Sequence, residues 1–154
     1  MNFLKNNAAK YGLALTASIA IWIAVMHMTG LYSEEKTEIT IIDYLYIFIP
    51  LIGLFFGIKE KKHILKSKFT LKAGVKEGFQ ISLIYAILSP FVFYIYYIAI
   101  NPASIEFAKK AYGMEQFSTK AVIFADMAVQ FVFSLLGGLV FSLIISYYLA
   151  RKRK

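Results

Sequence analysis

The sequence predicts an all-α polytopic membrane protein, with four transmembrane helices in a compact bundle and a short amphipathic interfacial helix before the last span. Three observations indicate this fold class. Of the 154 residues, 59% are hydrophobic and 17% are aromatic, whereas soluble domains are about 45–50% apolar. The excess is concentrated in long uninterrupted blocks, and lysine and arginine fall mainly between alternate blocks. We expect one membrane domain over residues 1–154.

The apolar blocks are long enough to cross a bilayer, which takes roughly 20 residues of helix. The predicted spans cover about residues 11–29, 39–58, 79–100 and 126–149. The third helix is expected to begin earlier, near Leu71, with Thr70 as its N-cap. Pro50 and Pro90 lie in the second and third spans. We interpret them as simple kinks that free a carbonyl, although helices broken at mid-membrane can also mark a transport site.

The connection before the last span contains the predicted interfacial helix. Asn101-Pro102 ends the third span, because proline disfavours helix in the residue before it. The same pair can start a helix, with Asn101 as its cap. Ile105, Ala108 and Tyr112 would then share one face. This pattern is typical of a short amphipathic helix that lies on the membrane surface and ends at Gly113.

The charge distribution predicts the orientation. The segment over residues 59–76 holds seven lysines, the residues before the first span hold two, and four basic residues follow the last span. The two other connections hold one and three. Loops rich in lysine and arginine lie on the cytoplasmic side of a membrane, so we predict cytoplasmic termini and a cytoplasmic loop at 59–70. The topology determinants, with possible contacts to anionic lipid headgroups, are Lys59, Lys61, Lys62, Lys66 and Lys68.

A net charge of +8 could also suggest a nucleic-acid partner. The basic residues flank membrane spans and form no nucleic-acid-binding motif, so we expect no nucleic acid. The chain has no cysteine, which excludes disulfides, thiolate metal sites and cysteine nucleophiles. No catalytic constellation, metal-ligand spacing or phosphate-binding glycine loop is present. We therefore expect no enzymatic activity, metal or cofactor, and we interpret His63 as a solvated loop residue.

Small residues at four-residue spacing mark one face of every predicted span, as in helices that pack closely in lipid. These residues are Gly12, Thr16, Ala20 and Ala24; Gly53 and Gly57; Gly74, Gly78, Ser82 and Ala86; and Ser134, Gly138, Ser142 and Ser146. The opposing helix could belong to the same chain, to a second copy in a homodimer, or to a larger membrane complex.

The ionisable residues nearest the membrane are His27, Asp43 and Asp126, with Gln130 one turn beyond Asp126. Ionisable groups inside a membrane are functional candidates, since they could bind a cation or pass a proton. The alternative is that they lie at headgroup depth, where water solvates them. Asp126 with Gln130 is the best pair of this polar cluster.

Several short signals occur in a particular order along the chain: Gly57-Ile58-Lys59-Glu60, then Gly74 and Gly78, then Asn101-Pro102, then a short polar helix. In these features the chain resembles an uncharacterised family of small four-span bacterial membrane proteins, a domain of unknown function. The resemblance implies a location in the bacterial inner membrane. It implies no activity and no catalytic residues.

Two functions are compatible with these features. The first is a non-enzymatic interaction or structural subunit of the membrane, whose small-residue faces bind itself or a larger complex. The second is a small transporter or ion-conducting protein that uses the polar cluster and the two proline-containing helices. A polar cavity between the spans would favour transport, and polar residues directed outward at headgroup level would favour the first function.

Overall fold

The computed structural model describes residues 6–31, 41–111 and 113–151, and every regular element in these residues is helical. The α-helices are α1 (Asn7–Met28), α2 (Ile42–Leu45), α3 (Phe48–Leu65), α4 (Leu71–Ile95), α5 (Ala103–Ala111) and α6 (Thr119–Ala150). A 3-10 turn follows α3 at Lys66–Lys68, and a π-helical turn follows α4 at Tyr96–Ile100. The structure confirms the all-α fold class.

Among the described residues, three helical segments are long and apolar enough to cross a membrane. They are α1, the combined segment Leu71–Ile100, and α6. These segments correspond to the first, third and fourth predicted spans. The helix in the second position, α3, does not meet the same criterion in the described residues, because its last two turns contain Lys59, Glu60, Lys61 and Lys62.

The second predicted span differs from the expected single helix. Its described part consists of α2, a turn at Tyr46 and Ile47, and the apolar first half of α3. Pro50 lies in the first turn of α3, where a missing N–H leaves no helical hydrogen bond unmade. The Tyr46 carbonyl accepts a hydrogen bond from the Ile49 N–H at 3.0 Å. The predicted mid-helix kink at Pro50 is therefore wrong, because a helix begins there.

The basic segment is also more helical than predicted. Helix α3 continues to Leu65, so Lys59, Lys61 and Lys62 belong to a helix and the connection to α4 shortens to Lys66–Thr70. Lys66 makes the turn with a φ of 49°, in the left-handed region that L-residues rarely adopt. The charged half of α3 therefore extends the bundle beyond its apolar part.

Two predicted helix starts are confirmed by their caps. The Thr70 hydroxyl accepts a hydrogen bond from the Ala73 N–H at 3.2 Å, at the start of α4. The Asn101 side-chain oxygen accepts one from the Ser104 N–H at 3.2 Å, at the start of α5. Gly113 follows α5 with a φ of 64°, which a residue without a Cβ adopts at little cost. The short helix is thus present, and its position at a membrane surface stays a prediction.

Helix α4 packs against α1, α3 and α6, and its closest approach is to α6. A Cβ added at Gly78 would collide with Ser142, and one added at Gly138 would collide with Ser82. A Cβ at Gly74 would lie 2.5 Å from the Ser146 hydroxyl. The small-residue faces of α4 and α6 therefore oppose each other within one chain.

Two further glycines are covered within the chain, whereas α1 uses a different face from the predicted one. Gly53 lies against Leu15 of α1, and Gly57 lies against Ile81 of α4. The buried face of α1 runs through Gly12, Leu15, Ile19 and Ile23, whereas Ala24 is exposed. The predicted row from Gly12 to Ala24 is therefore only partly a packing face. The larger side chains of Leu15, Ile19 and Ile23 instead fill the space between α1 and the rest of the bundle.

Candidate functional site

A cavity of about 540 Å³ lies between the helices of the bundle. Its lining includes Trp22 of α1, Ile47 just before α3, and Pro50 in the first turn of α3. Helix α6 contributes its face from Asp126 to Phe141. Ten of its 27 lining residues are aromatic. Pockets of about 300–1,000 Å³ with mostly apolar linings and a few polar groups are typical small-molecule sites.

The cavity lining includes a hydrogen-bonded polar set that contains a carboxylate, formed by Asp126, Gln130 and Tyr97. The Gln130 amide donates to Asp126 Oδ2 at 2.7 Å, and the Tyr97 hydroxyl donates to the same oxygen at 3.0 Å. Asp126 and Gln130 are four residues apart on α6, so they share one face of that helix. The set therefore presents a carboxylate to an otherwise largely apolar space.

The π-helical turn positions Tyr97, and the sequence reasoning did not anticipate it. Its closing hydrogen bond runs from the Asn101 N–H to the Tyr96 carbonyl at 2.8 Å. Such turns insert an extra residue and redirect the side chains that follow, often at functional sites. Asn101 is only 1% exposed and donates from Nδ2 to the Tyr96 hydroxyl at 3.1 Å. The only signal in the sequence was the Asn101-Pro102 pair, which we interpreted as a helix boundary.

Within the predicted polar cluster, the structure brings Asp126 and Gln130 together. His27 lies near the end of α1 with its ring edge-on to Tyr96, at 5.9 Å between centroids, and it is not among the residues that line the cavity. Asp43 belongs to α2, and its side chain lies outside the described part of the structure. Of the described side chains in the cluster, those of the pair on α6 line the cavity.

At the other end of the bundle, which we call the basic end, a buried carboxylate connects three helices. Glu77 of α4 is 2% exposed. Its Oε2 lies 2.9 Å from Lys61 Nζ of α3. Its Oε1 accepts a hydrogen bond at 2.8 Å from Asn7 Nδ2 of α1, which also donates to the Gly57 carbonyl at 3.0 Å. The sequence reasoning missed this contact.

The predicted topology lysines are of two kinds: some contact other helices at the basic end, and the others are exposed. Lys61 pairs with Glu77, and Lys62 Nζ donates to the Leu149 carbonyl at 2.6 Å, near the end of α6. Both lysines therefore connect helices. Lys59, Lys66 and Lys68 are exposed, and Lys59 Nζ lies 5.8 Å from the centre of the Phe55 ring. These three stay candidates for headgroup contacts.

One more contact fixes α1 against α3 at this end. Lys10 Nζ lies 3.0 Å from Glu60 Oε2, and the Tyr11 hydroxyl donates to the same oxygen at 2.6 Å. Hydrogen bonds from Tyr11 and Lys10 lower the pKa of Glu60. Because both donors favour the charged carboxylate, this exposed contact is strengthened by ionisation of Glu60.

A comparison with known families identifies the chain. Residues 10–151 match the family described as "Protein of unknown function (DUF4199)". The chain belongs to this family. The matched range includes every residue that lines the cavity and most of the contacts at the basic end. No curated protein and no solved structure matches the chain, so its function must be argued from the cavity and its polar set.

Proposed function

We propose that this protein is a small transporter of the bacterial inner membrane, with four spans and cytoplasmic termini, whose cavity binds an amphipathic small molecule. The observation that carries the proposal is the polar set inside an apolar bundle. A carboxylate with two hydrogen-bond donors is costly to maintain among apolar helices, and such groups line substrate pathways. A cavity of about 540 Å³ beside it provides the space for a ligand.

The contacts at the basic end support four crossings. Asn7 and Lys10 at the start of α1 meet the second half of α3 through Gly57 and Glu60. The same region of α3 meets the end of α6 through Lys62. Helices α1, α3, α4 and α6 therefore run alternately towards and away from one end. The concentration of lysine at that end favours a cytoplasmic position.

A structural or interaction subunit is the other function suggested by the sequence. That hypothesis depended mainly on the small-residue faces of the spans. In α3, α4 and α6 their glycines pack against residues of the same chain, so these faces do not support a second copy or a larger complex. Transport is therefore the better supported proposal.

The single tryptophan of the chain, Trp22, lines the cavity and provides a reporter of binding. We propose to titrate the purified protein in lipid nanodiscs with tetraphenylphosphonium and with tetraphenylborate, while recording Trp22 fluorescence. Each probe is a small apolar ion. We expect at least one probe to produce a saturable change, and uptake of that probe into proteoliposomes then tests transport.

A matched pair of variants separates binding in the cavity from partition into lipid. Gly137 lines the cavity, and a Cβ added there meets no atom within 4 Å. Leucine can therefore begin there without a backbone shift, and we expect its larger side chain to occupy part of the cavity. Val140 lies on the same helix, is 52% exposed and does not line the cavity. Gly137→Leu should abolish the saturable change, and Val140→Leu should retain it. An equal response in both variants would refute the proposed function.

A further inference from the structure

We infer that the ligand of the cavity is an organic cation, such as a protonated or quaternary amine with an apolar body. This inference rests on the proposed function and specifies its substrate class. Asp126 is the one residue with a charged side chain among the described residues that line the cavity. Among these lining residues, a ligand therefore meets one carboxylate and no cationic side chain.

Asp126 has hydrogen-bond donors but no counter-charge among the described residues. Both of its hydrogen bonds come from neutral groups, the Tyr97 hydroxyl and the Gln130 amide, and both go to Oδ2. Its other oxygen, Oδ1, accepts no hydrogen bond from the described residues. A carboxylate that is partly removed from water is costly unless a cation accompanies it. A cationic ligand would supply that partner.

The rings beside Asp126 suit an organic cation. Tyr97 donates its hydroxyl to the carboxylate, which places the tyrosine ring next to the charge. The ring centres of Tyr96 and Phe93 lie 6.0 Å and 6.3 Å from that of Tyr97. Aromatic faces attract cations through the negative charge of their π-systems, and quaternary ammonium groups are bound in this way. The carboxylate and the rings thus favour the same sign of ligand charge.

Helix N-termini are among the groups in this region that could favour an anion, because they carry partial positive charge. The Trp22 indole N–H also lines the cavity, but it is a neutral donor. The cavity borders the starts of α3 and α5. At α3, the Ile49 and Leu51 N–H groups already donate to the Tyr46 and Ile47 carbonyls. At α5, the Ser104 N–H donates to the Asn101 side chain. These N–H groups are engaged, so they do not offset the full charge of Asp126.

The one lysine that is buried among the described residues is also paired with an acidic side chain. Lys109 of α5 is 8% exposed and does not line the cavity. Its Nζ lies 2.8 Å from Glu106 Oε1 and 3.0 Å from the Thr119 hydroxyl. Phe107 and Ala108, its neighbours on α5, contribute apolar surface to the cavity. The helix that closes the space therefore presents no free positive charge there.

A metal cation fits this cavity less well than an organic one. Hard cations take about six to eight oxygen ligands, with several carboxylates among them. No group of three His, Asp or Glu side chains in the described ranges is placed to hold a metal ion. A large apolar lining with one carboxylate is instead suited to a molecule whose charge is attached to a hydrocarbon body.

The two probes test which sign of ligand charge the cavity prefers. Each carries four phenyl rings around a single central charge, which is positive in tetraphenylphosphonium and negative in tetraphenylborate. For each probe, the response of Gly137→Leu is subtracted, since hydrophobic cations and anions partition differently into lipid. We expect the remaining, cavity-dependent binding to be at least about tenfold tighter for tetraphenylphosphonium than for tetraphenylborate. Asp126→Asn should weaken tetraphenylphosphonium binding by about the same factor and leave tetraphenylborate binding unchanged or stronger.

The comparison of probes on the unmodified chain decides the sign of the charge even if Asp126→Asn does not fold. Equal or tighter cavity-dependent binding of tetraphenylborate would overturn the inference and leave the proposed function standing. Tetraphenylphosphonium binding that is unchanged in a folded Asp126→Asn variant would also overturn it. If neither probe gives a response that Gly137→Leu removes, both the inference and the proposed function are refuted.

Discussion

At the scale of single residues, the basic end depends on the buried carboxylate of Glu77. Its side chain is 3% exposed, whereas that of Lys61 is 32% exposed. The loss of one partner therefore has a different cost from the loss of the other. If Glu77 loses its charge, Lys61 can still turn to water. If Lys61 is removed, the Glu77 carboxylate stays buried without a counter-charge, which is the more costly state.

We therefore predict that Lys61→Met destabilises the protein more than Glu77→Gln. The expected losses in free energy of unfolding are on the order of 3 kcal/mol for Lys61→Met and about 1 kcal/mol for Glu77→Gln. Thermal unfolding in mild detergent measures the ranking. Lys72→Met is the control, since Lys72 is exposed and forms no ion pair with the described residues. A larger loss in Glu77→Gln would contradict the assignment of Glu77 as the buried partner.

The sequence located part of the candidate site at this scale. Asp126 and Gln130 were identifiable because both lie on one helix at a fixed spacing. Tyr97 was not, because its approach to Asp126 depends on the π-helical turn at the end of α4. Glu77 was not either, because its partners Asn7 and Lys61 belong to other helices. Local patterns identify residues that share a helix, whereas contacts between helices depend on the packing of the whole bundle.

At the scale of helices, the contact between α4 and α6 is built from glycines that face serines. The Ser82 hydroxyl donates to the Gly78 carbonyl at 2.9 Å, and the Ser142 hydroxyl donates to the Gly138 carbonyl at 2.5 Å. Each serine thus satisfies its hydroxyl within its own helix while it fills the space beside a glycine of the other helix. The sequence predicted these small-residue faces but could not pair them, since the same spacing serves any opposing helix.

Two adjacent glycines of α6 provide a direct test of this contact. We predict that Gly138→Ala lowers the free energy of unfolding by about 1–3 kcal/mol, because the added Cβ collides with Ser82 and separates the helices. Gly137→Ala should be neutral or slightly stabilising, because its Cβ meets no atom within 4 Å and alanine favours helix. The midpoint of detergent-induced unfolding measures both variants. Equal effects would show that α6 does not pack through Gly138.

At the scale of the whole molecule, the question is how many times the chain crosses the bilayer. In the part of the chain that the structure describes, three segments meet the length and composition of a span, and α3 provides the proposed fourth crossing. The sequence predicted a helix here but not its interruption before Phe48 or its continuation to Leu65. Proline and lysine were interpreted as features of a uniform span and a loop, whereas the structure uses Pro50 to begin a helix and the lysines to extend it.

Reporter fusions test the number of crossings. We predict that reporters attached after Glu35, Ser67 and Tyr112 lie outside, inside and outside the cytoplasm. This alternation follows from four spans with the lysine-rich end inside. An alkaline phosphatase and green fluorescent protein pair gives opposite signals at each site. If the reporters after Glu35 and Ser67 lie on the same side, α3 does not cross the membrane.

The charged half of α3 has a consequence for the surrounding lipid. The apolar part of this helix, Phe48–Ile58, is about 11 residues long and rises roughly 16 Å, about half of the ~30 Å hydrocarbon thickness of a bilayer. In the four-span arrangement, α2 and the turn at Tyr46 and Ile47 would have to supply the rest of this crossing, whereas α6 is long enough to cross with a tilt. Where this crossing falls short of the hydrocarbon thickness, the lipid beside it would thin locally, which is one way in which a bilayer accommodates a short apolar segment.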